Sequence, residues 1–236
     1  MSGMLILALE TSTELGSCAL FHDGQVIERR CPSGCSHSET LLPLVRELML
    51  EAGVGFAQLD AIAFGAGPGA FTGLRIACGA AQGLAVAGDL PLIPVSSLET
   101  MAVLAAAGQV LSLLDARMGE VYSGFYRVAG DEAVLLGEIS VGAPDAVVLP
   151  VGDDWLACGN ALAAYPLLGA RMSERMAGRE RLFRPDIVPL AAPLARIAAR
   201  RAARGEGIDP ALAAPLYVRD KVAKTVAERL RDGGKA

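Results

Sequence analysis

Residues 65–88, GAGPGAFTGLRIACGAAQGLAVAG, contain seven glycines and seven alanines, and Arg75 is their only ionic side chain. From Phe71 onward the run reads as a helix that is apolar all round. Such a helix has to be covered on both sides. At 100° per residue, Ile76, Ala77, Ala80, Gly83, Leu84 and Ala87 share one face, and Leu74, Cys78, Ala81, Gln82 and Ala85 lie opposite. One side can rest on the chain's own sheet. The other needs a second helix or a partner chain, and Gly79 and Gly83 would let another backbone come close. A central core helix and an interface helix both satisfy this pattern.

The loop entering the helix, GAGPGAFTG, has the glycine content of a phosphate-binding turn. No Gly-Lys-Ser/Thr follows, so no lysine reaches a phosphate as in a P-loop. Pro68 breaks the dinucleotide-type spacing, and no acidic residue follows a second strand at the required distance. Backbone N–H groups at the helix N-terminus could still face an anion. A second polar turn, Glu10, Thr11, Ser12 and Thr13, ends the apolar run from Leu5 to Leu9. Nucleotide-binding folds use such turns for phosphate or Mg²⁺, and ordinary folds use them to cap a buried strand.

Elsewhere the pattern is mixed α/β. Leu5–Leu9 predicts a buried strand, and Asp23-Gly24 between apolar runs predicts a hairpin. A helix is predicted from Ser36, with capping-box spacing to Glu39, a stripe of Leu41, Leu44, Val45, Leu48 and Ala52, and a stop at Gly53. Pro43 predicts a distorted first turn. Strands are predicted at Asp60–Gly65, at PLIPVSS leading into a helix near Ser96–Ser97, on both sides of Arg117–Gly119, and at WLACGNA. The pattern weakens from Pro166 to Pro185. A last helix is predicted from about Pro193 to Gly205. Residues 212–224 read as a docked segment, followed by a frayed tail.

The net charge of −5 and a pI of about 5.1 give no basic field that would draw the chain to nucleic acid. No run of 18 apolar residues occurs, and Glu10 comes too early for a signal peptide, so a cytoplasmic location is expected. Five cysteines, an odd number, argue against a disulfide framework. Cys31, Cys35 and His37 could be three metal ligands, or a polar loop that contains thiols; no second Cys/His cluster completes a zinc site. The only histidines, His22 and His37, are too far apart for an H-x-x-x-H pair, and no G-x-S-x-G elbow occurs. No metal, cofactor or catalytic residue is expected. Asp115, Arg117 and Glu120 form either ion pairs at a hairpin turn or a charged site.

ILALETSTELGSCAL, HSETLLPLV, GAGPGAFTGLRIACGAAQGLA, IPVSSLETMA, DARMGEVY and PLYVRDKVA resemble, in this order, segments of the bacterial TsaB (YeaZ) family. The likeness spans residues 4 to about 224 and is loose over 127–210. It implies an ASKHA fold, as in actin, Hsp70 and sugar kinases: two lobes, each with a mixed sheet flanked by helices. The division expected is an N-terminal lobe at 1–104, a C-terminal lobe at 105–211, and a segment at 212–236 docking back on the first lobe.

The resemblance also implies a non-catalytic subunit of the system that makes threonylcarbamoyladenosine in tRNA. Its partners would be a metal-bearing catalytic paralogue, TsaD, and a small ATPase, TsaE, with tRNA reached only through the complex. Without TsaD a homodimer is expected through the same surface. The implied interface comprises His37, Leu41, Leu44, Val45, Leu48, Leu74, Arg75, Cys78, Gly79, Gln82, Gly83, Ala85 and Val86, with Cys78, Gln82 and Ala85 meeting a partner helix. Two departures weaken nucleotide binding at Glu10–Thr13. Glu10 stands where relatives carry Asp and would crowd a Mg²⁺–phosphate site, and Ala70 replaces a loop Ser. An ATP-dependent phosphotransferase is the alternative reading, and a glycoprotease-like metallopeptidase a further one.

Overall fold

Leu5, Leu7 and Leu9 face one way and Ile6 and Ala8 the other, because side chains alternate along a strand. All five are buried, which requires cover on both faces of the sheet that holds them. The computed structural model, which describes residues 3–106, 108–152, 154–175, 179 and 182–218, places them in β1 (Leu5–Glu10) at the centre of a five-stranded sheet. β2 (Ser17–His22) and β3 (Gln25–Arg30) form an antiparallel hairpin beside it, and β4 (Ala61–Gly67) and β5 (Leu92–Ser96) run parallel on its other side. Asp23 (φ 49°) and Gly24 (φ 81°) make the hairpin turn, the left-handed pair that a two-residue connection favours.

Two helices cover the Leu5/Leu7/Leu9 face: α1 (His37–Ala52) and α2 (Phe71–Gly88). α1 starts after Ser36 and stops at Gly53 in the left-handed conformation. Two local expectations fail. The Ser36 side chain makes no capping bond, and the helix runs unbroken through Pro43. Pro43 lies on the exposed side, where its ring displaces no packed neighbour.

The second sheet is built on β6 (Gln109–Asp115) and β7 (Val121–Ala129). β8 (Glu132–Leu135) and β9 (Ser140–Gly142) pair with β7. β10 (Leu156–Cys158) and β11 (Phe183–Arg184) extend the other side. α3 (Ser97–Ala105) covers one face through Leu98, Met101 and Ala102. α4 (Ala161–Ala164) and α5 (Pro166–Arg175) cover the other through Leu162, Leu168 and Met172. The architecture is the two-lobed ASKHA type, with a mixed sheet and flanking helices in each lobe.

The expected division at residue 105 does not describe how the helices pack. α6 (Ala191–Ala203) follows the second sheet in sequence but covers the Ile6/Ala8 face of the first, with Leu194, Ala195 and Ala198 fully buried there. α3 follows the first sheet and covers the second. The small side chains Ala8, Ala61 and Ala63 on that face allow α6 a close seat. The two exchanged helices are joined by Arg201, which donates to both Glu99 carboxylate oxygens at 2.7 and 2.8 Å and to the Pro94 carbonyl oxygen.

Candidate functional site

The Glu10–Thr13 turn and the Gly67–Gly73 loop meet at the end of β1. Ala70 N–H donates to Ser12 O at 2.7 Å, and Thr11 Oγ1 donates to Gly73 O at 2.7 Å. A Cβ on Gly73 would lie 1.8 Å from Thr11 O, and one on Gly69 would lie 2.5 Å from Ser12 O. These glycines therefore serve close backbone approach, and Thr11 Oγ1 and the Ala70 N–H are used to join the two turns.

Glu10 turns inward. It is fully buried, and its Oε1 accepts the Ser12 N–H at 2.6 Å, while Oε2 has no hydrogen-bond partner. Gly65 makes the room, since a Cβ there would come 2.2 Å from Oε2. Burial pushes the carboxyl up from its ordinary value, against the opposing effect of hydrogen bonding from Ser12. A buried carboxyl with a raised pKa is a poor ligand for Mg²⁺.

The two lobes face each other across a cleft of about 1060 Å³. Its first-lobe wall holds Ser12, Glu14, His37 and Thr72, and its second-lobe wall holds Asp115, Arg117, Tyr122 and Asn160. His37 Nε2–H donates to the carbonyl of Thr13 at 2.9 Å, which turns the ring into the chain. Asp115 accepts from the Tyr165 hydroxyl at 2.7 Å and from the Arg117 N–H at 2.8 Å. Arg117 crosses the mouth to pair with Glu14, the main cause of its raised pKa. Within the segment Arg117 also pairs with Asp115 at 3.5 Å, while Glu120 contributes its backbone carbonyl, which accepts from the Tyr165 hydroxyl and the Ala116 N–H. Among the described residues no group of three metal-ligating side chains is assembled, and Cys31 is buried while Cys35 is exposed. No described helix is long and apolar enough to cross a membrane.

The expected helix surface is only partly on the outside. Cys78, Ala81 and Ala85 of α2 are buried against the first sheet, as are Leu41, Val45 and Leu48 of α1, and Leu74 is buried as well. Gln82 is half-buried and donates to the carbonyls of Pro210 and Ala213. The face assigned to a partner is therefore the chain's own core face. Periodicity cannot tell which side of an all-apolar helix meets the sheet; the β4–α2 connection decides it. The outer face carries Thr72, Arg75, Gly79, Gly83 and Val86, beside Leu42, Arg46 and Leu50 of α1. Val86 is 71% exposed and Leu50 70%. Among the described residues nothing lies within 4 Å of where a Cβ on Gly79 or Gly83 would be.

A family model described as "TsaD: tRNA N6-adenosine threonylcarbamoyltransferase" matches residues 33–225. The tRNA threonylcarbamoyladenosine biosynthesis protein TsaB of Escherichia coli is 36% identical over 234 residues, covering 93% of this chain and 96% of that protein. The chain belongs to the TsaB (YeaZ) family. The TsaB protein of Haemophilus influenzae is 44% identical over 126 residues, 52% of this chain and 53% of that one. The solved structure of YeaZ from Pseudomonas aeruginosa superposes with a TM-score of 0.78 at 40% identity, over 91% of this chain and 99% of that one. TsaB-family membership thus rests on almost the whole chain, including the segment from 127 to 210 where the sequence motifs are sparse.

One junction escaped the sequence reading. Thr11 joins the two turns, although only its place in a polar turn was visible. The part of the C-terminal segment that is described reaches the first lobe through Leu216 N–H to Ala66 O at 2.7 Å. Residues 219–236, where the rest of the docked segment and the frayed tail were expected, lie outside the described residues.

Proposed function

We propose that this chain is a non-catalytic subunit in the formation of threonylcarbamoyladenosine in tRNA. It binds a TsaD-like catalytic paralogue, a TsaE-like ATPase joins the pair, and tRNA is reached through the complex. In the absence of the paralogue the same surface forms a homodimer. The observation that carries the reading is the outer face of α1 and α2. Gly79 and Gly83 interrupt a helix at positions with no neighbour among the described residues, so nothing there offsets their cost of about 1 kcal/mol each relative to alanine. A partner backbone resting there would account for them. Leu42, Leu50 and Val86 supply apolar area around them. The buried Glu10 and the joined turns support a subunit without phosphotransfer chemistry of its own.

The test is to mix the purified chain with the TsaD-like protein of the same organism, follow complex formation by size exclusion, and assay tRNA modification with and without this chain. A complex, and modification that depends on it, is the expected result. Full modification without this chain, or hydrolysis of ATP by this chain alone that disappears in Glu10→Ala, refutes the reading.

A further inference from the structure

Cys31 and Cys35 bracket the loop that joins β3 to α1. Cys31 is buried, and Cys35 is exposed at the wall of the interlobe cleft. Between them the Cys35 N–H donates to Pro32 O at 3.3 Å and Gly34 takes the left-handed conformation (φ 79°), so the chain doubles back on itself.

His37, the first residue of α1, stands beside the buried thiol. A Cβ on Gly16 would lie 3.0 Å from Cys31 Sγ and 2.7 Å from His37 Nδ1, so sulfur and nitrogen flank one small space that a glycine leaves free. The Thr13 carbonyl, 2.9 Å from Nε2, only accepts; Nε2 therefore carries the ring proton and Nδ1 is left as a base. That nitrogen is buried and has no hydrogen-bond partner among the described residues. Cys18 lies on β2, the strand paired with β3. Burial pushes its thiol up to about 12, so it stays protonated and does not compete, because the thiolate is the nucleophile.

We propose that Cys31 and Cys35 form a dithiol site for small disulfides of the glutathione type, with His37 as the base that activates Cys31. Cys35 gives its proton to water and attacks one sulfur of the small disulfide; the S–S bond breaks, and the first small thiolate leaves and takes a proton from water. Cys31 then passes its proton to His37 Nδ1 and attacks Cys35 Sγ. The mixed disulfide breaks, and the second small thiol leaves with the proton from Nδ1. Two protein thiols are oxidised to one disulfide, and one small disulfide is reduced to two thiols. The inference is independent of which partner binds α1 and α2.

The test treats the full, reduced chain with oxidised glutathione, quenches with acid at intervals and maps the cysteines by mass spectrometry without reduction. Wild type should end as a Cys31–Cys35 disulfide, with Cys18, Cys78 and Cys158 unmodified. Cys31→Ser should stop at a glutathione adduct on Cys35, and Cys35→Ser should gain nothing. His37→Gln keeps a donor for the Thr13 carbonyl but has no base. It should form the Cys35 adduct at the wild-type rate and close it at least about tenfold more slowly. A wild-type chain that stops at the Cys35 adduct, or that links Cys31 to Cys18, overturns the proposal. Equal closure in His37→Gln, or a first step slowed as much as the second, overturns the role of His37.

Discussion

Replacing Gly83 with arginine separates the stability of this chain from its association. In the isolated chain the new Cβ enters open space, with no heavy atom of the described residues within 4 Å. Glycine in a helix interior is about 0.8–1.0 kcal/mol less favourable than alanine, and arginine is close to alanine. The free chain should therefore gain about 0.7 kcal/mol. For a chain of this size that raises Tm by roughly 2 °C. At a desolvated contact with a partner helix the same side chain should cost about 2–5 kcal/mol, which is roughly 30-fold to several-thousand-fold in Kd at tenfold per 1.4 kcal/mol. Thermal melting of the free chain and titration calorimetry with the TsaD-like protein read the two effects separately. Unchanged affinity would show that this face is not the interface. A fall in Tm would show that the outer face of α2 is not open in the free chain. Ala85→Arg is the contrast: Ala85 is fully buried against the first sheet, so a guanidinium there should leave the protein insoluble or sharply destabilised.

Two glycines of one helix should respond with opposite signs. Gly79→Ala should stabilise by about 1 kcal/mol, whereas Gly73→Ala, whose Cβ would sit 1.8 Å from Thr11 O, should cost about 3 kcal/mol; urea midpoints measure both, and equal signs would contradict the packing described. Arg201→Met should cost about 3 kcal/mol by leaving the buried Glu99 carboxylate unpaired, and adding Glu99→Gln should recover part of it in chemical denaturation. Because burial raises the pKa of Glu10, the stability it contributes is full below the ordinary carboxyl value of 4.5 and is lost as pH rises through the raised one. Glu10→Gln cannot ionise, so its advantage over wild type should grow as pH rises above the ordinary carboxyl value of 4.5 and level off once the raised one is passed; parallel stability–pH curves would show that Glu10 does not titrate differently in the folded chain.

Much of this fold is legible from local chemistry. The Asp23-Gly24 turn, the stop at Gly53, the apolar run of β1 and the hairpin at Arg117–Gly119 each depend on residues within a few positions of one another. α5 was not assigned, because its Arg- and Met-rich sequence carries a weak pattern; Leu168 and Met172 become a buried face only once the second sheet lies beneath them. At the candidate site, the sequence placed Glu10–Thr13 and the Gly-rich loop at strand ends but not beside each other. Their junction, Thr11 Oγ1 to Gly73 O, closes over 62 residues.

The sequence by itself determined that residues 71–88 form a helix with small and apolar residues all round, since composition and a 3.6-residue period are local properties. Only the tertiary structure decided that Cys78 and Ala85 meet the chain's own sheet while Gly79 and Gly83 face outward. It likewise set α6 on the first sheet rather than the second. A helix with apolar side chains all round has nearly the same burial energy in either rotation. The choice falls to the close approach of Gly73 to Thr11 and to the way β4 delivers the chain, both fixed by residues far apart in sequence.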